Sequence, residues 1–345
     1  MQIQNCTSVL GLIFLSLLFW QCESESKNIP DVSNTQVDIK IRRFEQALFA
    51  LDTNTTDIPF DNQVAQLQRE YPNFWPVFKQ MIGNPFLEGA DFAPQVYDFI
   101  THPGVRSLYD TTQIIYNNIE AVEGNLETAF SYYKHYFPER NVPEVVSYIS
   151  EFGVGTFTYG DSLLGIGWDF FMGEDFPYDY DVFPAYLQKS MSKEHITSKS
   201  IEAVISNMVE AKDKGQRLLE FMIDNGKILY IKSLVLPNIP NDILLEWTPE
   251  QLSWMENKLN EQELWRQILK RKLLYSTRQS EYQKLITASP SGTTWMPPES
   301  PGKTGNWIGW QIVKAYMERN PDTSLEELIA LKDAQKILDA SKYRP

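Results

Sequence analysis

Segments with the pattern of β-strands are confined to two short stretches of this chain, and this distribution constrains its fold more than any other feature. Val145–Ile149 is rich in β-branched residues and alternates. Thr156–Tyr159 and Leu163–Phe171 follow it, separated by a Gly-Asp turn signal. Near the start, Val37–Ile41 alternates apolar with polar residues, so we expect it to join the same sheet. These segments predict a small mixed β-sheet.

The rest of the chain has mostly helical periodicity. The predicted helical segments are Phe44–Leu51, Asp61–Ile82, Val105–Phe137, Ile196–Ala211, Gln216–Asn225, Pro249–Leu259, Glu261–Leu274, Trp307–Glu318 and Leu325–Leu338. We expect a break near two prolines in the second segment and another near Gly124 in the third. No long linker divides these segments, and no internal repeat is present. The sequence therefore predicts a mostly helical, single-domain α+β fold with a small mixed sheet.

The N-terminus has the pattern of a secretory signal. Val9–Trp20 is apolar, too short to span a bilayer comfortably, and fits the apolar region of a signal peptide. Cys22 follows it closely, and a cysteine at this place predicts lipoprotein processing, in which the sulfur takes a diacylglycerol and the cysteine becomes the first residue. Several acyl chains at one site give stable anchoring, because each buried methylene contributes about 0.8 kcal/mol.

Two features depart from the usual lipoprotein signal and leave two alternatives, an ordinary signal peptide and an uncleaved anchor. Met1–Ser8 has no Lys or Arg, and Gln21 stands where a small residue is usual before the modified cysteine. We interpret residues 1–21 as the signal peptide, residues 22–35 as a lipidated flexible tether and residues 36–345 as the globular domain.

The charge and the cysteine content exclude several classes of function. The formal net charge is -14, so nucleic acid is not expected as a partner, because phosphate binding needs a basic face. Both cysteines, Cys6 and Cys22, lie near the N-terminus. The body therefore has no disulfide, no thiolate zinc site and no cysteine nucleophile, which suits an oxidising compartment.

The chain lacks the sequence patterns of common catalytic and cofactor sites. None of the three histidines, His102, His135 and His195, begins a His-Glu-x-x-His run. The Gly-Ile-Gly run at residues 165–167 lacks the third glycine of a dinucleotide fingerprint, and neither a Walker loop nor a Gly-x-Ser-x-Gly elbow is present. We therefore predict no catalytic residue, no metal site and no cofactor.

Two aromatic clusters are candidates for a partner-binding surface. The first, in residues 174–181, interleaves acidic residues with Phe and Tyr. A solvated loop, a calcium site and a protein-contact loop are its alternatives. The second surrounds Ser300–Gly305, where core packing beneath a tight turn is the alternative. The residues of the candidate surface are Trp168, Tyr178, Tyr180, Trp307 and Trp310.

Longer motifs give the chain its most specific resemblance. The most specific are SPGKTGNWIGWQIVKAYM (Ser300–Met317) and DAQKILDASKYRP (Asp333–Pro345). The supporting motifs are IRRFEQALFALD, YYKHYFPERNVPEVVSYISEF, LLGIGWDFFMGEDFPYD, MIDNGKILY and NEQELWRQILKRKLLYST. Through these motifs nearly all of the mature chain resembles the gliding motility lipoprotein GldB family.

This resemblance implies a function and a location. It implies a lipid-anchored protein of the cell envelope, expected at the outer membrane, that is required for gliding motility and for the associated protein-secretion machinery. It implies a non-catalytic component whose partners are the membrane and other proteins of that machinery. Of the family's features only the modified cysteine is carried over, onto Cys22. The alternative is an envelope hydrolase or peptidase.

A more remote likeness connects the chain to zinc peptidases of the gluzincin type. In those enzymes a His-Glu-x-x-His helix supplies two ligands and a base, and a later glutamate before a glycine supplies the third ligand. Here the corresponding helix, Phe183–Gln188, has no histidine, and the later position is Asn225-Gly226. The likeness implies a degenerate zincin-like scaffold that has lost its metal and whose former cleft binds a protein segment.

Overall fold

The computed structural model describes residues 29–54, 58–83, 92–179, 181–209 and 216–345. The predicted signal peptide and Cys22 lie outside the described residues, as does Tyr180. The backbone divides into two units, Met1–Pro30 and Asp31–Pro345, and every described helix and strand belongs to the second. Among the described helices, none combines the length and the apolar composition that a membrane span requires.

The described strands form one mixed sheet. They are β1 (Ile41–Arg43), β2 (Glu144–Tyr148), β3 (Thr156–Tyr159) and β4 (Leu163–Gly167). Their order is β1-β2-β4-β3, with the first two pairs parallel and the β3–β4 hairpin antiparallel. This sheet in a mostly helical chain confirms the predicted α+β class.

The first strand joins the sheet as expected but begins later than the alternation at Val37–Ile41 predicted. Pairing with β2 starts only at Ile41. The backbone N–H groups of Ile39 and Ile41 donate to the carboxylates of Glu127 (3.2 Å) and Glu123 (2.8 Å). These two side chains satisfy backbone donors that a further strand would otherwise pair, so the alternating segment ends the sheet at an edge.

Six described helices precede β2. They are α1 (Phe44–Phe49), α2 (Phe60–Glu70), α3 (Trp75–Ile82), α4 (Ala93–Thr101), α5 (Pro103–Ile115) and α6 (Glu120–Tyr136). The break predicted near Gly124 is wrong, because it falls at residues 116–119 and Gly124 lies inside α6. The Asn118 side chain accepts the N–H of Glu120 (2.8 Å) and so begins the new helix, whereas one internal glycine costs only about 1 kcal/mol.

Ten described helices follow β4. They are α7 (Ala185–Gln188), α8 (Lys193–Val209), α9 (Leu218–Val235), α10 (Asn241–Leu245), α11 (Pro249–Glu256), α12 (Lys258–Lys270), α13 (Gln279–Ile286), α14 (Thr304–Arg319), α15 (Leu325–Ala330) and α16 (Ala334–Ser341). The single helix predicted over Leu325–Leu338 is wrong. Asp333 caps a second helix there by accepting the N–H of Lys336 (3.1 Å).

Helix α9 does not end at Asn225-Gly226, where the sequence pattern placed its end, but continues to Val235. A Cβ on Gly226 would lie 2.4 Å from the backbone carbonyl carbon of Gly309 in α14. The glycine therefore serves a close approach of two helices and not a helix end.

The sheet lies between two hydrophobic cores. Successive residues of a strand point to opposite faces, and Val145 packs in one core while Val146 packs in the other. The first core joins the sheet to α6, α8, α9 and α14. The second is rich in aromatic rings and joins the opposite face to α1–α5. Both faces of the central strand β4 are buried as a result.

Candidate functional site

The predicted partner-binding residues that the structure describes are buried. The exposed fractions are 0% for Trp168, 7% for Tyr178, 6% for Trp307 and 1% for Trp310. These four side chains therefore do not form a contact surface, and the prediction is wrong for them. Large aromatic side chains bury more apolar area than most others, and here they pack in the core. Tyr180 lies outside the described residues.

The loop that carries the acidic and aromatic cluster lines a groove of about 1110 Å³. The opposite wall is one face of α5, where the lining residues have helical spacing: Gly104, Ser107, Leu108 and Thr111. Ligand sites in proteins are concave and mostly apolar, with volumes of about 300–1,000 Å³. This groove, named here the aromatic groove, is the candidate functional site.

Five aromatic rings form the wall opposite α5, and they contact one another. Phe152 lies 5.7 Å from Phe176, 5.6 Å from Tyr178 and 6.1 Å from Phe183, measured between ring centroids. Phe170 lies 5.8 Å from Phe183. Except for Tyr178, these rings are only partly buried, so they present aromatic surface to the groove.

Tyr178 holds the loop in place. Its hydroxyl accepts the N–H of Met172 (2.7 Å) and lies 3.4 Å from the carbonyl oxygen of Met191, to which it can donate. Burial raises the pKa of this phenol, so it stays neutral and keeps its proton as a donor. The predicted contact residue is thus a positioning residue beneath the groove.

Asp169 fixes the backbone that presents Phe152. Glu151 and Phe152 both have positive φ (53° and 66°), a conformation that non-glycine residues adopt only where the surroundings hold it. The buried carboxylate of Asp169 accepts the N–H groups of Ser150 (3.1 Å) and Phe152 (2.7 Å). The strand was expected to continue to Phe171, but it ends at Gly167. The next four residues form a 3₁₀ turn, and this turn places the Asp169 carboxylate against the loop.

Burial raises the pKa of Asp169 from 3.8 to about 6, although backbone N–H donors oppose the change. A raised carboxyl pKa favours the neutral form in the folded protein. The contribution of the neutral Asp169 carboxyl to stability is therefore fully present below the pKa of this group in the unfolded chain. It is lost as the pH rises through about 6. Between about pH 3.5 and about pH 7 we expect wild type to lose about 3 kcal/mol of unfolding free energy relative to Asp169→Asn. Urea denaturation of both proteins across this pH range measures the difference.

The exposed Asp322→Asn variant is the control, and its unfolding free energy should follow that of wild type at every pH. If Asp169→Asn also runs parallel to wild type, the carboxyl does not titrate with burial as described.

Acidic side chains surround the aromatic groove. Glu151 and Asp179 line it and are exposed, and the same loop carries exposed Glu174, Asp175 and Asp181. Val182 also lines the groove and is 59% exposed. An exposed apolar surface with a polar rim is typical of a protein-interaction site. The rim gives the groove a negative potential that favours a basic partner.

Sequence reasoning missed Phe152, Asp169 and Val182. A lone carboxylate within the apolar run GIGWDFFM is a signal for Asp169, since buried charges need partners. No signal marks Phe152, because its positive φ is imposed by a carboxylate distant from it in sequence.

No group of three or more His, Cys, Asp or Glu side chains in the described part of the chain is placed to hold a metal ion. Phe183–Gln188, the predicted counterpart of a zinc-peptidase helix, contains only the four-residue α7. The Asn225 side chain donates to that of Asn306 (2.9 Å). The zincin-like origin of the scaffold stays a prediction.

Comparison with known proteins identifies the family of the chain. No curated protein and no solved structure matches it. The family model described as gliding motility protein GldB matches residues 25–345, which is nearly the whole chain. Because this match covers both cores, the sheet and the aromatic groove, the chain belongs to the gliding motility protein GldB family.

Proposed function

We propose that this protein is anchored by acyl chains on Cys22 to the outer membrane and serves as a non-catalytic binding component of the gliding and protein-secretion machinery. Membership of the GldB family implies involvement in gliding motility. The cysteine close after an apolar signal region supports the anchor.

The observation that carries the proposal is the aromatic groove. Its volume of about 1110 Å³ suits several side chains of a protein segment better than a single small ligand. Its wall of partly buried Phe rings would bury bulky apolar side chains of that segment. Its exposed acidic rim complements Lys or Arg on either side. The proposed occupant is therefore an extended segment of a machinery protein, with bulky apolar residues flanked by basic ones.

Deletion and complementation in the native host test this function. The deletion strain should neither glide nor export its adhesins, and the wild-type gene should restore both. Cys22→Ala should restore neither, because one substitution removes the site of all the acyl chains. Normal gliding and export in the deletion strain would refute the proposal and favour the envelope-hydrolase alternative, which assays on peptidoglycan and unfolded protein then address.

Val182→Asp tests the groove. We expect gliding and adhesin export to fall close to the level of the deletion strain, because a carboxylate enters an apolar contact inside an acidic rim. Val182 is 59% exposed, so the unfolding free energy should stay within about 0.5 kcal/mol of wild type. Cell tracking, export assays and urea denaturation provide the measurements.

Leu259→Asp is the matched control, since Leu259 is 71% exposed on α12 and does not line the groove. That variant should glide and export normally. Equal behaviour of the two variants would mean that the aromatic groove has no part in the function.

A further inference from the structure

A second cleft, of about 280 Å³, is lined in part by the segment that follows the aromatic groove in sequence. Val182 and Phe183 line the aromatic groove, whereas Ala185, Tyr186 and Lys189 line this cleft. The remaining lining residues come from two other regions, residues 246–251 and the loops before α14. The loop before α14 contains Lys303, within the SPGKTG motif.

A Lys-Glu-Lys bridge lies at this cleft, and two of its members, Glu246 and Lys303, line the cleft. The Glu246 carboxylate accepts from Lys199 (2.7 Å) through one oxygen and from Lys303 (2.8 Å) through the other. Glu246 and Lys303 both have positive φ (57° and 60°). Strained non-glycine residues persist where surrounding contacts hold them, and they cluster at functional sites. This ion pair joins two such residues from separate parts of the chain.

The charges around this bridge do not balance. Lys232 lies behind it and bonds to Glu202 (2.5 Å), so three lysines and two glutamates leave one net positive charge. At the rim, Lys189 interacts electrostatically with Glu250, and the opposite charges of this pair cancel. The nearby His195 is buried, which lowers its pKa, so it adds no charge at neutral pH. Glu194, which also interacts with His195, is balanced by Lys193. The excess charge stands out in a chain whose formal net charge is -14.

The protonation of these groups supports the same count. Burial would raise the pKa of Glu246, but the ammonium groups of Lys303, Lys199 and Lys232 outweigh it and hold the pKa well below its ordinary value. Burial opposes the charge on Lys303, and Glu246 outweighs that effect and raises its pKa. Glu246 and Lys303 are therefore both charged at neutral pH.

We propose that this cleft binds the phosphate group of a small ligand. A partly buried excess of positive charge attracts an anion, and lysine ammonium groups are common phosphate ligands. Tyr186 lines the cleft, and its hydroxyl group can donate to a phosphate oxygen. The N-terminus of α14 begins directly after Lys303 and adds a favourable dipole. The phosphate belongs either to a soluble phosphate ester or to a lipid headgroup.

Calorimetric titration of the full chain in a maltoside detergent tests this site. The probes are inorganic phosphate, sn-glycerol 3-phosphate and short-chain dihexanoyl phosphatidylglycerol. We expect saturable binding of at least one probe with one site per chain. Lys303→Gln should weaken it at least about tenfold, a cost of about 1.4 kcal/mol. Tighter binding of glycerol phosphate supports a soluble ester, and tighter binding of the lipid supports a headgroup.

Lys189→Glu provides the second test, because Lys189 is exposed and its replacement should leave the fold intact. It should weaken binding severalfold, while Lys336→Glu, on an exposed face of α16, should not. Absence of saturable binding for all three probes overturns the proposal. Binding that neither Lys303→Gln nor Lys189→Glu weakens also overturns it. The outcome is independent of gliding assays on the aromatic groove.

Discussion

Gly309→Ala is expected to lower the free energy of unfolding by about 3 kcal/mol or more. A Cβ at this position would lie 1.7 Å from the backbone oxygen of Met222 and 2.5 Å from its carbonyl carbon. The obstacle is the backbone of α9 and not a flexible side chain. Relief therefore requires α9 and α14 to separate, which would open the larger of the two cores. Guanidinium denaturation followed by circular dichroism measures the change.

Gly124→Ala is the matched control, because nothing lies within 4 Å of the Cβ that it would add inside α6. It should raise the free energy of unfolding by about 0.5–1 kcal/mol, since alanine restricts the unfolded chain and favours the helix. Equal effects of the two substitutions would show that α9 and α14 do not approach each other as closely as described.

Glu45→Ala should lower the free energy of unfolding by about 3–5 kcal/mol. The Glu45 side chain, on α1, is fully buried and contacts Ser147 of β2. It accepts from the Ser147 hydroxyl (2.7 Å), the Trp168 indole N–H (3.2 Å) and the Arg43 guanidinium (2.5 Å). Alanine would leave two buried donors and one mostly buried cation without this acceptor.

Glu263→Ala is the control, because it removes an ion pair of the same chemistry that is exposed to water. Glu263 bonds to Arg266 on α12, but both side chains are well exposed, 40% and 59%. Its removal should leave the free energy of unfolding almost unchanged, because exposed ion pairs contribute little. A Glu45→Ala protein as stable as Glu263→Ala would mean that the donors around Glu45 find other acceptors.

The sequence alone determined the features that depend on local pattern. Alternation and β-branched residues placed β2 and β3 correctly, and helical spacing placed most helices. The long motifs identified the family, which the match to residues 25–345 confirms. These features can be predicted from the sequence because periodicity and motifs are properties of neighbouring residues.

The tertiary structure decided what depends on residues distant in sequence. The sequence pattern at Gly226 is that of a helix end. In the structure Gly226 lies within α9, where it allows the close approach of Gly309. The sequence predicts a contact surface at the aromatic clusters. In the structure Tyr178 is buried in the second core, and Phe152 lines the groove. Phe152 is placed there because the Asp169 carboxylate holds its N–H. Packing, burial and ion pairing arise between segments that meet only on folding, so the local sequence pattern does not predict them.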